Sequence, residues 1–315
     1  MQAIKVHYRP VIILGILLGA LGCSPKQPQT GKIQPPAQVA PHSLSEEEWL
    51  TKRVSNRPGD TMGKVFIVMY HHFKPGHGDL FRTPKQFWHD LDTYYRMGFR
   101  PVLASEYLAN KMRLAPGAMP IILTFDDSNP TQLHLLPDGS VDPNCAVGVW
   151  QRFAKVHPDF PVHGTFFVLP DTMWGQMHKF KEKKIKIILD LGSELESHTM
   201  THPFLNRLSD DRVKRELAEA NFWLEKNGQK PPISLALPYG VLPRHPQLFK
   251  GFVYKGHKIH FPGVFLAAGN PAPSPNDPKF NRFRIPRMAG NWDGDAVGFF
   301  LRKLKAGKVH PYVQP

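Results

Sequence analysis

At 315 residues, 41% hydrophobic and 21% charged, the chain has the composition of a globular protein with one large core or two modest ones. The formal charge of +14, from 40 Lys and Arg against 26 Asp and Glu, is spread along the chain without a long basic block. That excludes a nucleic-acid-binding signature and leaves attraction to anionic envelope polymers, or simple solubility.

Lys5 and Arg9 precede an uncharged run from Val11 to Gly22, shorter than the roughly 20 residues that a membrane-spanning helix needs. This is the layout of a signal peptide, residues 1–22. Ala20-Leu21-Gly22-Cys23 resembles a bacterial lipobox, although such a box has Leu earlier and a smaller residue where Leu21 stands. The resemblance implies an acylated Cys23 and a lipoprotein held at the membrane of the cell envelope; ordinary secretion and an uncleaved anchor are the alternatives. Ser24 to about Ser43 is rich in Pro and Gln with almost no large apolar residues, so residues 23–58 are expected to be the lipidated N-terminus and a tether. The folded domain is expected over 59–308. If Cys23 is lipidated, Cys145 has no partner within the chain, and the fold must rely on its core, a metal, or both.

Beyond the tether, apolar strand-like runs alternate with amphipathic stretches. Strands are expected at Val65–Tyr70, Ile121–Phe125, Gly164–Leu169, Glu194–Ser197 and Ile233–Leu237, with weaker ones to about Met288. Helical stretches are expected at Gln86–Met97, Ala104–Met112, Cys145–Val156 and Ser209–Asn227. The last has an acidic start, one apolar face (Val213, Leu217, Ala220, Leu224) and an Asn227-Gly228 stop. Leu136-Pro137-Asp138-Gly139-Ser140 carries a hairpin turn signal. Strand followed by helix, repeated, predicts an α/β fold with parallel strands, which a barrel or a doubly wound sheet would both satisfy.

Chemically useful residues gather where these strands end, the place at which such folds put their active sites. Asp126-Asp127 follows the run Pro120–Phe125; on the doublet alone, an Asx turn or a helix cap is the better reading. His198 and His202 are four apart after the strand at Glu194, so one helical turn would align their imidazoles as a metal site. Two neutral imidazoles and a carboxylate with an open position form the ligand set of a hydrolytic divalent site, with one aspartate as third ligand and the other as base. Tyr70-His71-His72 ends the first strand and, taken alone, reads as polar loop residues.

Thr124-Phe125-Asp126-Asp127-Ser128, then His198-Thr199-Met200-Thr201-His202-Pro203, then Leu237-Pro238-Tyr239-Gly240 together resemble the successive motifs of the polysaccharide deacetylases. This is the NodB-homology family of carbohydrate esterases, family four, and the likeness runs over about residues 60 to 290. It implies a NodB-type distorted (β/α) barrel of seven strands. By position it implies Asp126 as general base, Asp127, His198 and His202 as metal ligands, and the backbone N–H of Tyr239 as an oxyanion donor. The implied cofactor is a divalent metal, zinc first, with cobalt, nickel or manganese as alternatives. The implied partner is an acetylated amino-sugar polysaccharide, peptidoglycan or poly-N-acetylglucosamine, from which N-acetyl groups are hydrolysed.

The chain departs from the family pattern twice. No Leu-x-x-His-Asp-like motif supplies an acid near the C-terminus, where His310 precedes Pro311 in an expected frayed tail. A first strand ending in Tyr-His-His resembles the circularly permuted poly-N-acetylglucosamine deacetylases, which implies His71 as the acid and His72 as fallback. Ala236-Leu237-Pro238-Tyr239 also lacks the arginine that would hold the base aspartate; Arg284 or Arg287 is the expected substitute. These departures keep two other functions open, a polysaccharide O-acetyl esterase and a non-catalytic glycan-binding protein. Among Trp150, Trp174, Trp223 and Trp292, the last is the expected sugar-stacking residue.

Overall fold

Strand β1 (Phe66–Tyr70) is buried along its whole length, as a parallel strand covered on both faces must be. In this computed structural model, which describes residues 46–267, 269–292 and 296–315, it is preceded by a short helix, α1 (Glu46–Thr51). The expected signal segment 1–22, Cys23 and the tether up to residue 45 lie outside the described residues. Helix α2 (Pro84–Arg96) starts on a capping box: the Gln86 N–H donates to the Thr83 hydroxyl while the Gln86 side chain accepts from the Thr83 N–H. Then come β2 (Phe99–Pro101), α3 (Ala104–Leu108), β3 (Met119–Asp126), α4 (Ala146–Val156) and β4 (Thr165–Val168). The chain continues through α5 (Met177–Asp190), β5 (Glu194–Ser197), α6 (Asp210–Lys226) and β6 (Leu235–Ala236). A two-stranded antiparallel hairpin, β7 (Phe252–Tyr254) and β8 (His257–Ile259), precedes β9 (Val264–Phe265), β10 (Met288–Ala289) and α7 (Val297–Lys305).

Seven parallel strands lie in the order β10-β1-β3-β4-β5-β6-β9, with β2 beside the first half of β3. Ile285 bridges to Phe265 of β9, and Met288 pairs with Val68 of β1, so residues 285–289 join the two edges of the curled sheet. The result is the expected distorted seven-stranded (β/α) barrel. Alternation along β3 puts Ile122, Thr124 and Asp126 on one face with Ile67, Phe167 and Phe265, while Ile121, Leu123 and Phe125 pack with Phe87, Trp150 and Phe300 from the helices.

Three features differ from the sequence reading. Helix α5 was not anticipated, because its apolar stripe of Phe180, Ile185 and Ile188 is interrupted by Lys184, which is fully buried and donates to the carbonyls of Trp174 and Gly175 at 2.7 and 3.1 Å. The stretch from Ala104 is helical only to Leu108. The C-terminus is docked rather than frayed: the Tyr312 and Val313 N–H groups donate to Lys64 and Asp60, and both side chains are buried.

Glu194 and Glu196 are buried on β5, and a cavity of about 700 Å³ beside them opens at the amino-terminal ends of the strands, away from Asp126, Asp127 and the histidines. Glu194 accepts from the Thr165 hydroxyl at 2.6 Å, and Glu196 accepts from the Ser234 N–H. Burial, reinforced by the neighbouring Glu194, pushes the Glu196 carboxyl well above its ordinary 4.5. A raised folded-state value gives stability that is complete below the unfolded value and is lost as pH rises through the folded one. Glu196→Gln, which keeps an acceptor for Ser234, is therefore expected to raise the melting temperature at pH 8 more than at pH 4.5. Melting curves at the two pH values check this; an equal or smaller gain at pH 8 would contradict it.

Candidate metal centre and its surroundings

Parallel register brings the candidate residues to one level. Tyr70 pairs with Phe125 and Val168 pairs with Ser197, so His71, Asp126 and His198 each stand at the carboxyl end of neighbouring strands. Asp127 and Ser128 turn the chain there with φ of 69° and 50°. The turn that the doublet alone suggested is real, and it also aims the carboxylate. Ser128 holds the turn down, its hydroxyl accepting from Leu169 N–H at 2.9 Å and its carbonyl from Trp174 N–H at 2.7 Å. The Thr172 hydroxyl donates to the Asp127 carbonyl at 2.9 Å.

His198 and His202 do not share a helical turn. Residues 198–202 form a loop in which Thr199 and His202 take φ of 70° and 56°, and the rings still meet at 4.8 Å between centroids. Glu216 of α6 makes the loop rigid: its carboxylate accepts from the N–H groups of Met200 and Thr201 and from the Thr201 hydroxyl, at 2.9 to 3.2 Å. Tyr239 adds another left-handed residue at φ 57°. Such backbone costs about 1 kcal/mol or more for a residue with a side chain, and its gathering at one place is the mark of a functional site.

Nε2 of His198 and of His202 approach Asp127 Oδ1 at 3.2 and 3.3 Å, and the ligand atoms of the three residues lie within 4.8 Å of one another. Asp127 Oδ1 is enclosed yet makes no well-aligned hydrogen bond, the condition of an oxygen that a cation would satisfy. His198 Nδ1 lies 2.9 Å from the Ala236 carbonyl; donating its proton there leaves the Nε2 lone pair facing the carboxylate. Burial, and then His198, hold His202 below its ordinary value, keeping it neutral. Burial alone would raise Asp127, but the surrounding imidazoles, His198 first, hold it well below the usual carboxylate range. Two neutral imidazoles and an ionised carboxylate fit a divalent cation such as zinc.

Asp126 is buried beside this group, and Arg287 holds it with two parallel bonds of 2.7 Å, to Oδ1 and Oδ2. Arg287 is itself buried, with its Nε on the Leu266 carbonyl at 3.0 Å and a further bond to the Thr124 hydroxyl at 3.1 Å. Of the two arginines expected as substitutes, Arg287 therefore sits on the aspartate and Arg284 is exposed at the surface. Burial pushes the Asp126 carboxyl up, and the charge of Arg287 more than offsets it, so it stays ionised below its ordinary value.

His71 Nε2 lies 4.0 Å from Oδ2 of both Asp126 and Asp127, and burial lowers its pKa despite the two carboxylates. His72 stacks on Phe81 at 4.9 Å instead. Tyr239 lies beside His202, its ring 4.5 Å away; it is 54% exposed and stacked at 3.9 Å on Phe204. Trp292 is half-buried and anchored by its edge: its indole N–H donates to buried Asp90 at 2.6 Å, while Arg82 bonds both oxygens of that carboxylate. Trp150 and Trp174 are fully buried, and Trp223 packs against the core. Sequence reasoning missed Gln132, Glu216 and Phe204, which carry no motif of their own.

The polysaccharide deacetylase family model matches residues 114–260, a segment that contains Asp126, Asp127, His198, His202 and Tyr239 but neither His71 nor Arg287. The Bacillus subtilis (strain 168) protein YxkH, whose name places it among the polysaccharide deacetylases, is 21% identical over 316 residues, covering 96% of this chain and 100% of its own. The chitooligosaccharide deacetylase of Sinorhizobium fredii is 28% identical over 137 residues, which is 43% of this chain and 54% of that relative. In fold, the chain is similar to the Streptococcus pyogenes deacetylase PplD, solved in complex with acetate, with a TM-score of 0.57 and 18% identity over 81% of this chain and 100% of that one. Residues 114–260 thus carry a polysaccharide deacetylase domain, similar to the NodB-type carbohydrate esterases of family four, which are hydrolases and metal-dependent in general.

Proposed function

We propose that the protein hydrolyses N-acetyl groups from an N-acetylated amino-sugar polymer, peptidoglycan or poly-N-acetylglucosamine. The observation that carries this reading is the buried pair between Arg287 and Asp126, which keeps a carboxylate ionised and oriented beside a His-His-Asp cluster. Asp127, His198 and His202 would hold a divalent cation, zinc in our reading, which when bound supplies Lewis acidity towards the acetyl carbonyl and the attacking water. Asp126 takes the proton of the water as it attacks the acetyl carbon. The N–H of Tyr239 donates to the oxygen on which negative charge develops. His71 protonates the nitrogen as the C–N bond breaks, leaving acetate and a free amine. Burial lowers the His71 pKa, so the ring starts neutral and the proton it delivers is the one the water has given up to Asp126, whose Oδ2 lies 4.0 Å away. The exposed ring of Tyr239, backed by Phe204, offers a face for the sugar next to the ligands.

The non-catalytic alternative rested on a missing arginine and a missing C-terminal histidine motif; Arg287 on Asp126 speaks against the first motive and His71 beside the carboxylates against the second, and a parent that binds oligomers without releasing acetate would restore that alternative. Ester hydrolysis at the same site stays as the comparison to be measured. Export and attachment through a lipid on Cys23 form part of this proposal, supported by the layout of the first 23 residues.

Acetate release from N-acetylglucosamine oligomers is expected to exceed release from acetylated xylan; the reverse order would establish the esterase. Asp127→Ala, His198→Ala and His202→Ala should each lose bound zinc, whereas Asp126→Asn should keep it and lose about 10²–10⁴-fold in kcat. Zinc retained by the variant with both histidines replaced would overturn the ligand set. Arg287→Met leaves Asp126 buried without its counter-charge and is expected to cost about 3–5 kcal/mol in denaturant unfolding. Arg287→Lys should recover only part of that, because a lysine cannot make the paired bonds. Tyr239→Ala is expected to raise KM for oligomers several-fold with kcat less affected.

A further inference from the structure

Gln132, six residues beyond Asp126, is fully buried and spends its whole side chain. Its Nε2 donates to the backbone carbonyls of His71 at 2.9 Å and Asp126 at 2.5 Å, and its Oε1 accepts from the Trp174 indole N–H at 3.1 Å. Its own backbone is tied down as well, the N–H to the Asn129 carbonyl at 2.9 Å and the carbonyl to the N–H of Val147, in the first turn of α4, at 3.0 Å. One amide thus joins the ends of β1 and β3 just past the point where their pairing, Tyr70 with Phe125, stops.

The two ends differ in how they are otherwise held. Asp126 belongs to β3, pairs with Phe167 and is gripped by Arg287. Among the described residues the His71 side chain has no such partner: its Nδ1 is buried without a hydrogen bond, and its Nε2 is 4.0 Å from each carboxylate, beyond hydrogen-bond reach. Its position is therefore set by its backbone and by packing, and Gln132 holds that backbone against the fixed end of β3.

We propose that Gln132 is a positioning residue that sets the distance between the imidazole of His71 and the leaving nitrogen of the scissile amide, with Trp174 fixing the rotamer of its amide. The proposal rests on the catalytic roles given above to His71 and Asp126. A misplacement of about 1 Å at a reacting group can cost on the order of 100-fold in rate. A loop staple with no catalytic consequence would leave the same hydrogen bonds, so the two must be separated by what they change.

The test compares the full-length protein with Gln132→Met, which keeps the length and volume of the side chain without its donors, in zinc-loaded form with N-acetylglucosamine oligomers. The expected result is a kcat lower by about 10–100-fold, with KM and zinc affinity within about twofold of the parent. In a His71→Asn background the same substitution should lower kcat less than about threefold, because the group it places is gone. Equal fractional losses in both backgrounds, or a loss matched in KM or zinc affinity, would overturn the proposal. Trp174→Phe, which removes only the indole N–H, should give a smaller loss of the same pattern and carries the comparison if Gln132→Met does not fold. A readout without turnover separates this from the catalytic reading: with ¹⁵N-labelled histidine, the ring signal missing from His71→Asn should shift or broaden in Gln132→Met while those of His198 and His202 stay. An unmoved His71 signal sinks the tether, whereas a parent that releases no acetate sinks the catalytic roles and leaves this signal to judge the tether.

Discussion

A carboxylate buried beside a cluster that calls for a cation is stable and correctly aimed only if an opposite charge meets it, and here that charge is Arg287. Desolvation would favour a protonated Asp126; the paired bonds of the guanidinium reverse the balance and fix the rotamer as well. The arginine is equally desolvated, and its remaining donors are satisfied by the Leu266 carbonyl and the Thr124 hydroxyl. Because Met288 pairs with Val68 and Ile285 bridges to Phe265, the ion pair sits in the segment that joins the edges of the sheet. The segment that closes the barrel thus also supplies the counter-charge of Asp126.

Around that pair the site is built from loops held by buried polar side chains. Glu216 pins the histidine loop, Ser128 and Thr172 hold the aspartate turn, and Gln132 ties the His71 strand to it. The first three make tolerable backbone conformations that would otherwise be disfavoured, at Asp127, Ser128, Thr199 and His202. The same logic holds away from the site, where Lys184 caps the carbonyls of Trp174 and Gly175 and Arg82 neutralises Asp90. Lys184 is lowered to about 8 by burial, the electrostatic cost of using a lysine in that place.

Much was visible in the chain itself, for reasons of local physics. Continuous apolar runs such as Phe66–Tyr70 and Pro120–Phe125 mark strands covered on both faces, and the capped, one-sided pattern from Ser209 to Asn227 marks a surface helix. Asp126-Asp127 and His198/His202 at strand ends offered a candidate divalent ligand set, and the ligand atoms of Asp127, His198 and His202 do come within 4.8 Å of one another. The sequence also carried the charge distribution and the N-terminal layout. Local pattern failed where a residue's role depends on a distant partner. Lys184 broke the stripe of α5 because its ammonium is buried on loop carbonyls, and Trp292 looked free because its partner, Asp90, is 202 residues away.

What only the tertiary structure decided is the assembly of the site from both ends of the chain. Spacing could nominate Arg284 or Arg287 equally; the bridge at Ile285 and the pairing at Met288 turn Arg287 inward and leave Arg284 at the surface. Spacing suggested a helical turn for His198 and His202, whereas left-handed residues and Glu216 bring them together in a loop. The sequence put His71 ahead of His72 on resemblance alone, and only the register of β1 on β3 sets His71 beside Asp126 while His72 stacks on Phe81. Residue type states which chemistry is possible, but contact between residues far apart in sequence is set by strand register and barrel closure, which no local window contains.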